Sequence, residues 1–389
     1  MEKIDLVILC GGRGSRLKYY TNKTPKPLLK INGIPFLSKI INYYQKLDLN
    51  KIYLLAGYKG KLIKNYYNNK IFNLISTEVI VEKKPLGTAG SLNLIKEKVK
   101  NNFILVNGDS YVEYDIINFI KKKKSVLGKI LLVDNKNYKS NSKLTNLSVK
   151  NNIVTNVKKK GKMNAGVYLF DRRIFKLINK NFQSLEDEIL PILIKNKKIS
   201  GELTSGHFID IGTIKNLNLA KSKFFNRKSA LFLDRDGVIN KDKGYVHKMK
   251  DFEWTKNVFK ALKFSNNKFD HLFIVTNQSG IGRGLYSEKT FINFQKKIKK
   301  ILTKKKIFID EIFYCPHHPI YGLGKYKKKC KCRKPNNFLL EKAIKFWNIN
   351  RLNSLMIGDK KTDKLCAKKS KINFMYKKKD IFKQINEFI

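Results

Sequence analysis

A chain of 389 residues is long enough for two or three domains, each with its own core. Lys and Arg number 82 against 30 Asp and Glu, a formal charge of +52, and no run approaches the roughly 20 apolar residues of a membrane helix, which argues against a membrane span. The lysines are spread in runs such as 121–124, 158–160, 304–306 and 377–379, travel with Asn, Ile, Phe and Tyr as A/T-rich coding would give, and outnumber arginines, whereas base readout favours Arg; the charge therefore fits anionic small substrates better than a nucleic-acid partner.

Strands are expected at 5–10, 51–56, 103–106 and 130–133, and helices at 38–47 and 91–99 by apolar spacing. An irregular stretch, 136–152, reads as a hairpin or insertion. A basic segment at 221–228 precedes a fresh strand at 230–233, which divides the chain into 1–222, a linker 223–228, and 229–389. The second half repeats the rhythm, with strands at 272–275 and 354–357 and helices at 258–264, 288–302 and 337–346. The alternation predicts α/β architecture throughout. Glu2 and Asp5 lead directly into a strand, unlike a secretory leader. Three of the five cysteines, Cys315, Cys330 and Cys332, cluster near His317 and His318, a pattern of metal binding in a reducing compartment. Cys10 and Cys366 read as core residues, and the protein is expected in the cytoplasm.

Chemistry-bearing residues gather at two places. Gly11, Gly12, Arg13, Gly14, Ser15 and Arg16 follow the first strand, where glycines let backbone N–H groups approach phosphate oxygens. The spacing is neither a Walker loop nor a GxGxxG fingerprint. In Thr24-Pro25-Lys26-Pro27 two prolines are expected to hold Lys26 extended, placed to neutralise charge in phosphoryl transfer. Asp109 ends a strand and Asp210 lies in Phe208-Ile209-Asp210-Ile211-Gly212; two such carboxylates can share one Mg²⁺.

With Pro85-Leu86-Gly87-Thr88-Ala89-Gly90, Asn164-Ala165-Gly166 and Glu186, this set resembles the sugar-1-phosphate nucleotidyltransferases over residues 1–222. The resemblance implies that the first loop together with Gly87, Thr88 and Gly90 holds a nucleoside triphosphate. It implies that Asn164, Gly166 and Glu186 face the sugar, that Asp109 and Asp210 hold Mg²⁺, and that Arg16 and Lys26 are catalytic.

The second gathering begins at Asp234-Arg235-Asp236-Gly237, where acids two apart offer a nucleophile and a proton carrier. Thr276-Asn277-Gln278-Ser279-Gly280, Arg333-Lys334-Pro335 and Gly358-Asp359-Lys360 follow in order. The set resembles the haloacid dehalogenase (HAD) phosphatase superfamily over 229–389, and within it the D-glycero-D-manno-heptose bisphosphate phosphatases, with histidinol phosphatases close by. The resemblance implies Asp234 as nucleophile and Asp236 as acid and base, with Thr276 and Lys334 on the phosphoryl oxygens. It implies Mg²⁺ on Asp234, the Asp236 carbonyl and Asp359, with Asp363 orienting Lys334 or supporting the loop rather than contacting substrate. Asp242, Lys243, Gly244, Tyr245, Asn277, Gln278, Ser279, Arg333 and Lys360 would contact the sugar and its phosphates. Cys315, His317, Cys330 and Cys332 form a closed set for structural Zn²⁺, with His318 spare.

The expected fold class is thus α/β in two domains: a Rossmann-like nucleotidyltransferase sheet, then a HAD-like doubly wound parallel sheet with a zinc-pinned loop. Together the resemblances imply a bifunctional enzyme making a nucleotide-activated heptose from small-molecule substrates, with GTP the preferred nucleotide. Two other readings stay open: a hexose-1-phosphate nucleotidyltransferase fused to a phosphatase of other sugar-phosphate or histidinol-phosphate specificity, and a basic nucleic-acid-associated phosphatase with a regulatory N-terminal module. The oligomeric state is not readable.

Overall fold

The computed structural model describes residues 3–17, 19–121, 126–134, 146–157, 161–224 and 228–389. Lysines 122–124 and 158–160, most of the irregular stretch (135–145), and residues 225–227 of the expected linker lie outside the described residues. The chain divides into two compact units, Met1–Phe224 and Phe225–Ile389.

The first unit carries twelve strands used below: β1 (Ile4–Leu9), β2 (Leu49–Ala56), β3 (Ile71–Phe72), β4 (Ile75–Val81), β5 (Phe103–Asn107), β6 (Ser110–Val112), β7 (Gly128–Val133), β8 (Leu147–Lys150), β9 (Ile153–Asn156), β10 (Met163–Phe170), β11 (Ile199–Thr204) and β12 (Phe208–Asp210). Ten of them form one mixed sheet in the order β8-β9-β11-β7-β10-β5-β1-β2-β4-β3. Its centre, β4-β2-β1-β5, is parallel, and β10 then runs antiparallel to β5. This is the expected Rossmann-like sheet extended on one side. β1 is an almost uninterrupted apolar run because both of its faces are covered. Val7, Leu55, Phe103 and Leu105 pack against Leu92, Ile95, Leu185 and Leu190.

The segment expected as a helix over 91–99 is instead a single α-turn, Gly87–Gly90, running into a 3₁₀ turn, Ser91–Ile95. Leu92, Ile95 and Val99 are fully buried all the same. Three-residue spacing puts i and i+3 on one face in either helix, so the apolar pattern alone could not tell them apart. At the end of the stretch 136–152, β8 pairs with β9, which lies just beyond it, in an antiparallel hairpin. Its two-residue connection is Asn151-Asn152, at φ 49° and 64°, the backbone a primed turn requires.

The second unit is a five-stranded parallel sheet of β13 (Ala230–Leu233), β14 (His271–Asn277), β15 (Glu311–Cys315), β16 (Leu355–Gly358) and β17 (Asn373–Tyr376), ordered β15-β14-β13-β16-β17. This is the doubly wound order, in which the chain leaves β13 to one side and later returns to the other. A crevice opens at the carboxyl ends of the strands where that order reverses. Phe232, Phe273, Phe313 and Met356 pack beneath Leu340, Ala343 and Trp347 of the helix Phe338–Trp347. The long helix Glu288–Lys304 starts where Ser287 Oγ accepts the Thr290 N–H at 3.0 Å.

Two neighbouring acids, Asp310 and Glu311, are buried in this unit away from the crevice. Glu311 is 6 % exposed and accepts the Trp347 indole N–H at 2.9 Å. Burial raises its carboxyl from 4.5 to about 7, with Lys342 and the indole bond pulling the other way. The native state therefore binds this proton more tightly than the unfolded chain. Stability falls as pH rises from about 4.5, and the cost is complete above about 7. Glu311→Gln keeps the acceptor and removes the charge. It should stabilise the second unit by about 2–3 kcal/mol at alkaline pH and change little at pH ~5. Both tryptophans, Trp254 and Trp347, lie in this unit, so fluorescence-detected denaturation reads it alone; an equal effect at both pH values would count against the buried charge.

Candidate active sites of the two units

In the first unit the short ribbon of β6 and β12 brings the two acids together. Asp109 stands between β5 and β6, and Asp210 closes β12 opposite Ser110. The Lys26 ammonium lies between them, 2.6 Å from Asp109 Oδ2 and 3.6 Å from Asp210 Oδ1. Lys26 is 5 % exposed and opens a 3₁₀ turn, Lys26–Leu28, rather than an extended segment. Leu28 N–H closes that turn on the Pro25 carbonyl at 2.9 Å, and Pro27 sits in the first turn, where a missing N–H costs nothing. Burial alone would depress the lysine, but Asp109 and Asp210 outweigh it and hold the ammonium above its ordinary value. Of the two acids, Asp109 is pushed up by burial and brought back below the ordinary carboxylate range by Lys26, whereas burial and Asp109 leave Asp210 raised. Arg16 reaches the same spot: a methyl added at Gly212 would meet Asp210 Oδ1, Lys26 Nζ and Arg16 Nη2 at 2.9, 2.9 and 3.1 Å.

Beside this cluster is a cavity of about 310 Å³ lined by Gly11, Gly12, Lys26, Gly87, Thr88 and Asp109 among others. Gly87, at φ 75°, lies so close to the Gln183 carbonyl that a Cβ would stand 2.4 Å from its oxygen. Thr88 Oγ1 donates to Glu186 Oε2 at 2.7 Å and accepts the Leu185 N–H at 2.8 Å. The expected nucleotide loop and the expected sugar-facing Glu186 are thus tied together. Burial raises the Glu186 carboxyl.

Other expected residues are placed differently. The Asn164 amide is used internally, donating to Tyr168 OH at 2.6 Å and accepting the Gly166 N–H at 2.9 Å. Gly166 itself closes on the Asn107 side chain. Gly90 is buried against the Asn181 carbonyl and, with Arg13, Gly14 and Ser15, is not part of the cavity lining. Arg13 lies 5.7 Å over the Tyr58 ring. Glu82 and Phe182 line the cavity without having been singled out. Glu82 directly follows β4, a strand not expected from the sequence, so the residue had no structural context there.

In the second unit Asp234 follows β13, Thr276 and Asn277 end β14, and Asp359 follows β16. These are the three strand ends at the point where the strand order reverses. Lys334 is 3 % exposed, with its ammonium 3.0 Å from Asp234 Oδ1, 2.5 Å from Asp363 Oδ1 and 2.8 Å from the Val275 carbonyl. The lysine's tendency to lose its proton on burial is overcome by the two acids, which hold it above its ordinary value. Asp363 also accepts the Lys360 N–H at 3.0 Å, so it both orients the lysine and caps the helix Lys361–Lys369 in which it lies. Gly237, at φ 84°, leaves room for Asp359, whose Oδ2 would stand 2.3 Å from a Cβ there.

A cavity of about 530 Å³ is lined by Asp234, Asp236, Asp242, Gly244, Tyr245, Thr276, Asn277, Gln278, Ser279, Arg333 and Lys360, all expected, and by Tyr286 and Thr362, which were not. Lys243 is not among the lining residues and pairs with Glu253 at 3.1 Å. Asp242 pairs with Lys360 at 2.8 Å. Two expected sugar contacts have their amides occupied by protein. Asn277 bonds both the N–H and the carbonyl of Lys334 at 3.1 Å, clamping the lysine's backbone. Gln278 Nε2 donates to Asp236 Oδ2 at 3.0 Å and Thr276 Oγ1 at 2.9 Å, while its Oε1 accepts Tyr286 OH at 2.8 Å. Residue type could not distinguish a substrate amide from one holding the catalytic groups.

Both acid groups suit a hard cation. Asp234, Asp359 and Asp363 each offer an oxygen within 4.8 Å of the others, and among the described residues Asp359 Oδ1 is buried with no hydrogen-bond partner. In the first unit, Asp109 and Asp210 already converge on a single positive group. The sulfurs of Cys315, Cys330 and Cys332 lie 3.2–3.5 Å apart, too far for disulfides, and His317 Nδ1 is 3.3 Å from Cys332 Sγ. Three thiols and one imidazole make a complete set for a metal ion. The spare His318 is engaged otherwise, its Nδ1 accepting the Ile320 and Tyr321 N–H groups. Cys10 and Cys366 are buried. Among the described residues no helix is long and apolar enough to cross a membrane.

Residues 6–226 match the nucleotidyl transferase family, and residues 230–385 match the polynucleotide kinase 3 phosphatase family. The D-glycero-beta-D-manno-heptose-1,7-bisphosphate 7-phosphatase of Vibrio cholerae is 45 % identical over 140 residues, which are 36 % of this chain and 75 % of that protein. Its Helicobacter pylori counterpart is 41 % identical over 148 residues, 38 % of this chain and 82 % of that one. The crystal structure of HddC from Yersinia pseudotuberculosis is 28 % identical, covers 57 % of this chain and 99 % of its own, and has a TM-score of 0.48. The chain is therefore a two-domain enzyme that belongs to the nucleotidyl transferase family through residues 6–226 and, through its second unit, to the family of the D-glycero-beta-D-manno-heptose-1,7-bisphosphate 7-phosphatases.

Proposed function

We propose that the chain carries out two consecutive steps in making a nucleotide-activated heptose. Residues 229–389 hydrolyse the 7-phosphate of D-glycero-D-manno-heptose 1,7-bisphosphate. Residues 1–222, joined to them by the linker 223–228, transfer a nucleotidyl group, GMP from GTP, to the remaining sugar 1-phosphate and release pyrophosphate. The observation that carries this reading is the presence in one chain of two lysine-bridged acid pairs, Lys26 with Asp109 and Asp210, and Lys334 with Asp234 and Asp363. The first stands in a nucleotidyl transferase fold and the second in a unit similar to heptose bisphosphate phosphatases, whose product class is the substrate class of the first.

In hydrolysis, Asp234 attacks phosphorus and forms an aspartyl phosphate while Asp236 gives a proton to the departing sugar oxygen. Asp236 then takes a proton from the water that attacks the aspartyl phosphate. Thr276 and Lys334 hold the phosphoryl oxygens, and Asn277 and Asp363 keep Lys334 in place. In nucleotidyl transfer, an oxygen of the sugar 1-phosphate attacks the α-phosphorus and pyrophosphate departs, with Lys26 and Arg16 spreading the charge that develops. Mg²⁺, held by Asp109 and Asp210 in one unit and by Asp234, Asp359 and the Asp236 carbonyl in the other, supplies neutralisation of phosphate charge when bound. Cys315, His317, Cys330 and Cys332 would hold Zn²⁺ as a structural ion that pins the loop between them. Three thiols kept free at such a site fit a reducing compartment, and we place the enzyme in the cytoplasm.

The deciding experiment supplies the pure protein with heptose 1,7-bisphosphate, Mg²⁺ and each nucleoside triphosphate in turn. A GDP-linked heptose should form, with inorganic phosphate and pyrophosphate in equal amounts. Phosphate release with no nucleotide-linked product under any triphosphate would refute the coupled reading. Lys26→Ala should lower nucleotide–sugar formation by ~10²-fold or more while phosphate release continues. Asp234→Asn should do the reverse, abolishing phosphate release while sugar 1-phosphate supplied directly is still activated. Treatment with a mercurial and a chelator should release ~one zinc ion per chain, lower the melting temperature of the second unit and slow phosphate release. Pyrophosphate formation from added sugar 1-phosphate is expected to survive that treatment, and its parallel loss would contradict a metal confined to the second unit.

A further inference from the structure

Arg235 is 1 % exposed, an unusual position for a guanidinium. Its side chain lies over the rings of Phe291 and Phe294, 5.8 and 5.5 Å from their centres. Nε and Nη2 donate to Asp236 Oδ1 at 3.1 and 2.7 Å, and Nη2 also reaches Oδ2 at 2.7 Å. The same Nη2 donates to the Val246 carbonyl at 2.8 Å, directly after the loop Asp242–Tyr245 that lines the cavity. Among the described residues Nη1 is buried with no hydrogen-bond partner. Asn240 Nδ2 and Gln278 Nε2, each at 3.0 Å, complete the donors around the Asp236 carboxylate.

Stability is a poor reason for this arrangement. A buried ion pair contributes little over a well-packed apolar side chain, and an unpartnered buried N–H is a cost. What the arrangement fixes is direction. Proton transfer to a departing oxygen depends steeply on where the donor points. We propose that Arg235 is the positioning residue of the hydrolytic site: its guanidinium sets the Asp236 carboxyl in register with the sugar-contacting loop, so that the proton is delivered to the ester oxygen being released. This rests on the reading of Asp236 given above. As the P–O ester bond breaks and the Asp234–phosphorus bond forms, the electron pair goes to the sugar oxygen, which takes the Asp236 proton. The carboxylate left behind is received by a cation already in place, so no reorganisation is needed at that moment. Water returns the proton in the second half of the reaction.

The test uses the full-length, Mg²⁺-loaded protein and two esters. A sugar phosphate releases a poor leaving group that needs the proton, whereas p-nitrophenyl phosphate releases one that does not. Arg235→Lys keeps the charge but cannot span both Asp236 oxygens and Val246. In single turnover, where release of the leaving group reports the first half of the reaction alone, it should slow release of the sugar by ~10–100-fold and release of p-nitrophenol by less than ~3-fold. Added to Asp236→Asn it should cost nothing further. Arg235→Met, which retains the packing on Phe291 and Phe294, is the second variant and should show the same ester-selective loss. Tryptophan-detected melting establishes that each variant is folded. Equal slowing of both esters by the Arg235 variants, or a loss that adds to Asp236→Asn, would overturn the inference while leaving Asp236 as the acid. Asp236→Asn also removes the base of the second half, which is common to both esters, so it is read in the first half alone: equal slowing of both leaving groups there would overturn the reading of Asp236 and this inference with it. Failure of both Arg235 variants to fold would show that the residue serves the fold, which also overturns it.

Discussion

Each half of this enzyme is organised around one buried lysine held between two aspartates. Lys26 and Lys334 are nearly inaccessible, and an ammonium in such a place survives only if negative charge is brought to it. The folds supply that charge from places far apart in sequence: Asp109 and Asp210 through the β6–β12 ribbon, and Asp234 and Asp363 from the end of β13 and the first turn of the helix Lys361–Lys369. Removing either partner would strand a charge in a low-dielectric site. The pairs therefore tie the correct assembly of each sheet to the correct placement of the groups proposed to meet phosphate.

Much of this was legible because strand ends carry compact signals. Apolar runs at 5–10, 103–106, 230–233, 272–275 and 354–357, each followed by Gly, Asp, Thr or Asn, marked both the central strands and the residues that leave them. The less legible strands were those without an uninterrupted apolar run. β4 alternates buried and half-buried positions, and β10 is broken by Asn164 and Gly166, where the pairing register shifts. Missing β4 meant missing Glu82. Side-chain use was harder still. Asn277 and Gln278 line the expected cavity, yet their amides hold other protein groups, because a cluster of charged residues needs neutral donors and acceptors to fix it, and the Asn164 amide is likewise taken up by Tyr168 and Gly166. Nothing in a residue's type or spacing says which partner its amide will find.

The formal charge of +52 has a simpler meaning in this setting. Among the described residues most of the lysines are solvated, and only a few, such as Lys26, Lys129, Lys299 and Lys334, are nearly enclosed. A positively charged surface raises the local concentration of multiply charged phosphates near any crevice and speeds their arrival, an effect that fades as salt screens it. It does not choose among phosphates; that selection falls to the cavity walls.

Gly87 has a further consequence. Its contact with the Gln183 carbonyl, together with the Thr88 bonds to Leu185 and Glu186, bolts the loop proposed to hold the nucleotide to the segment that bears the acid proposed to face the sugar. Any larger residue at 87 must pry these two pieces apart. On the proposed assignment a genetic lesion there would masquerade as two defects, blunting affinity for both co-substrates at once, and no compensating change on one side alone could repair it.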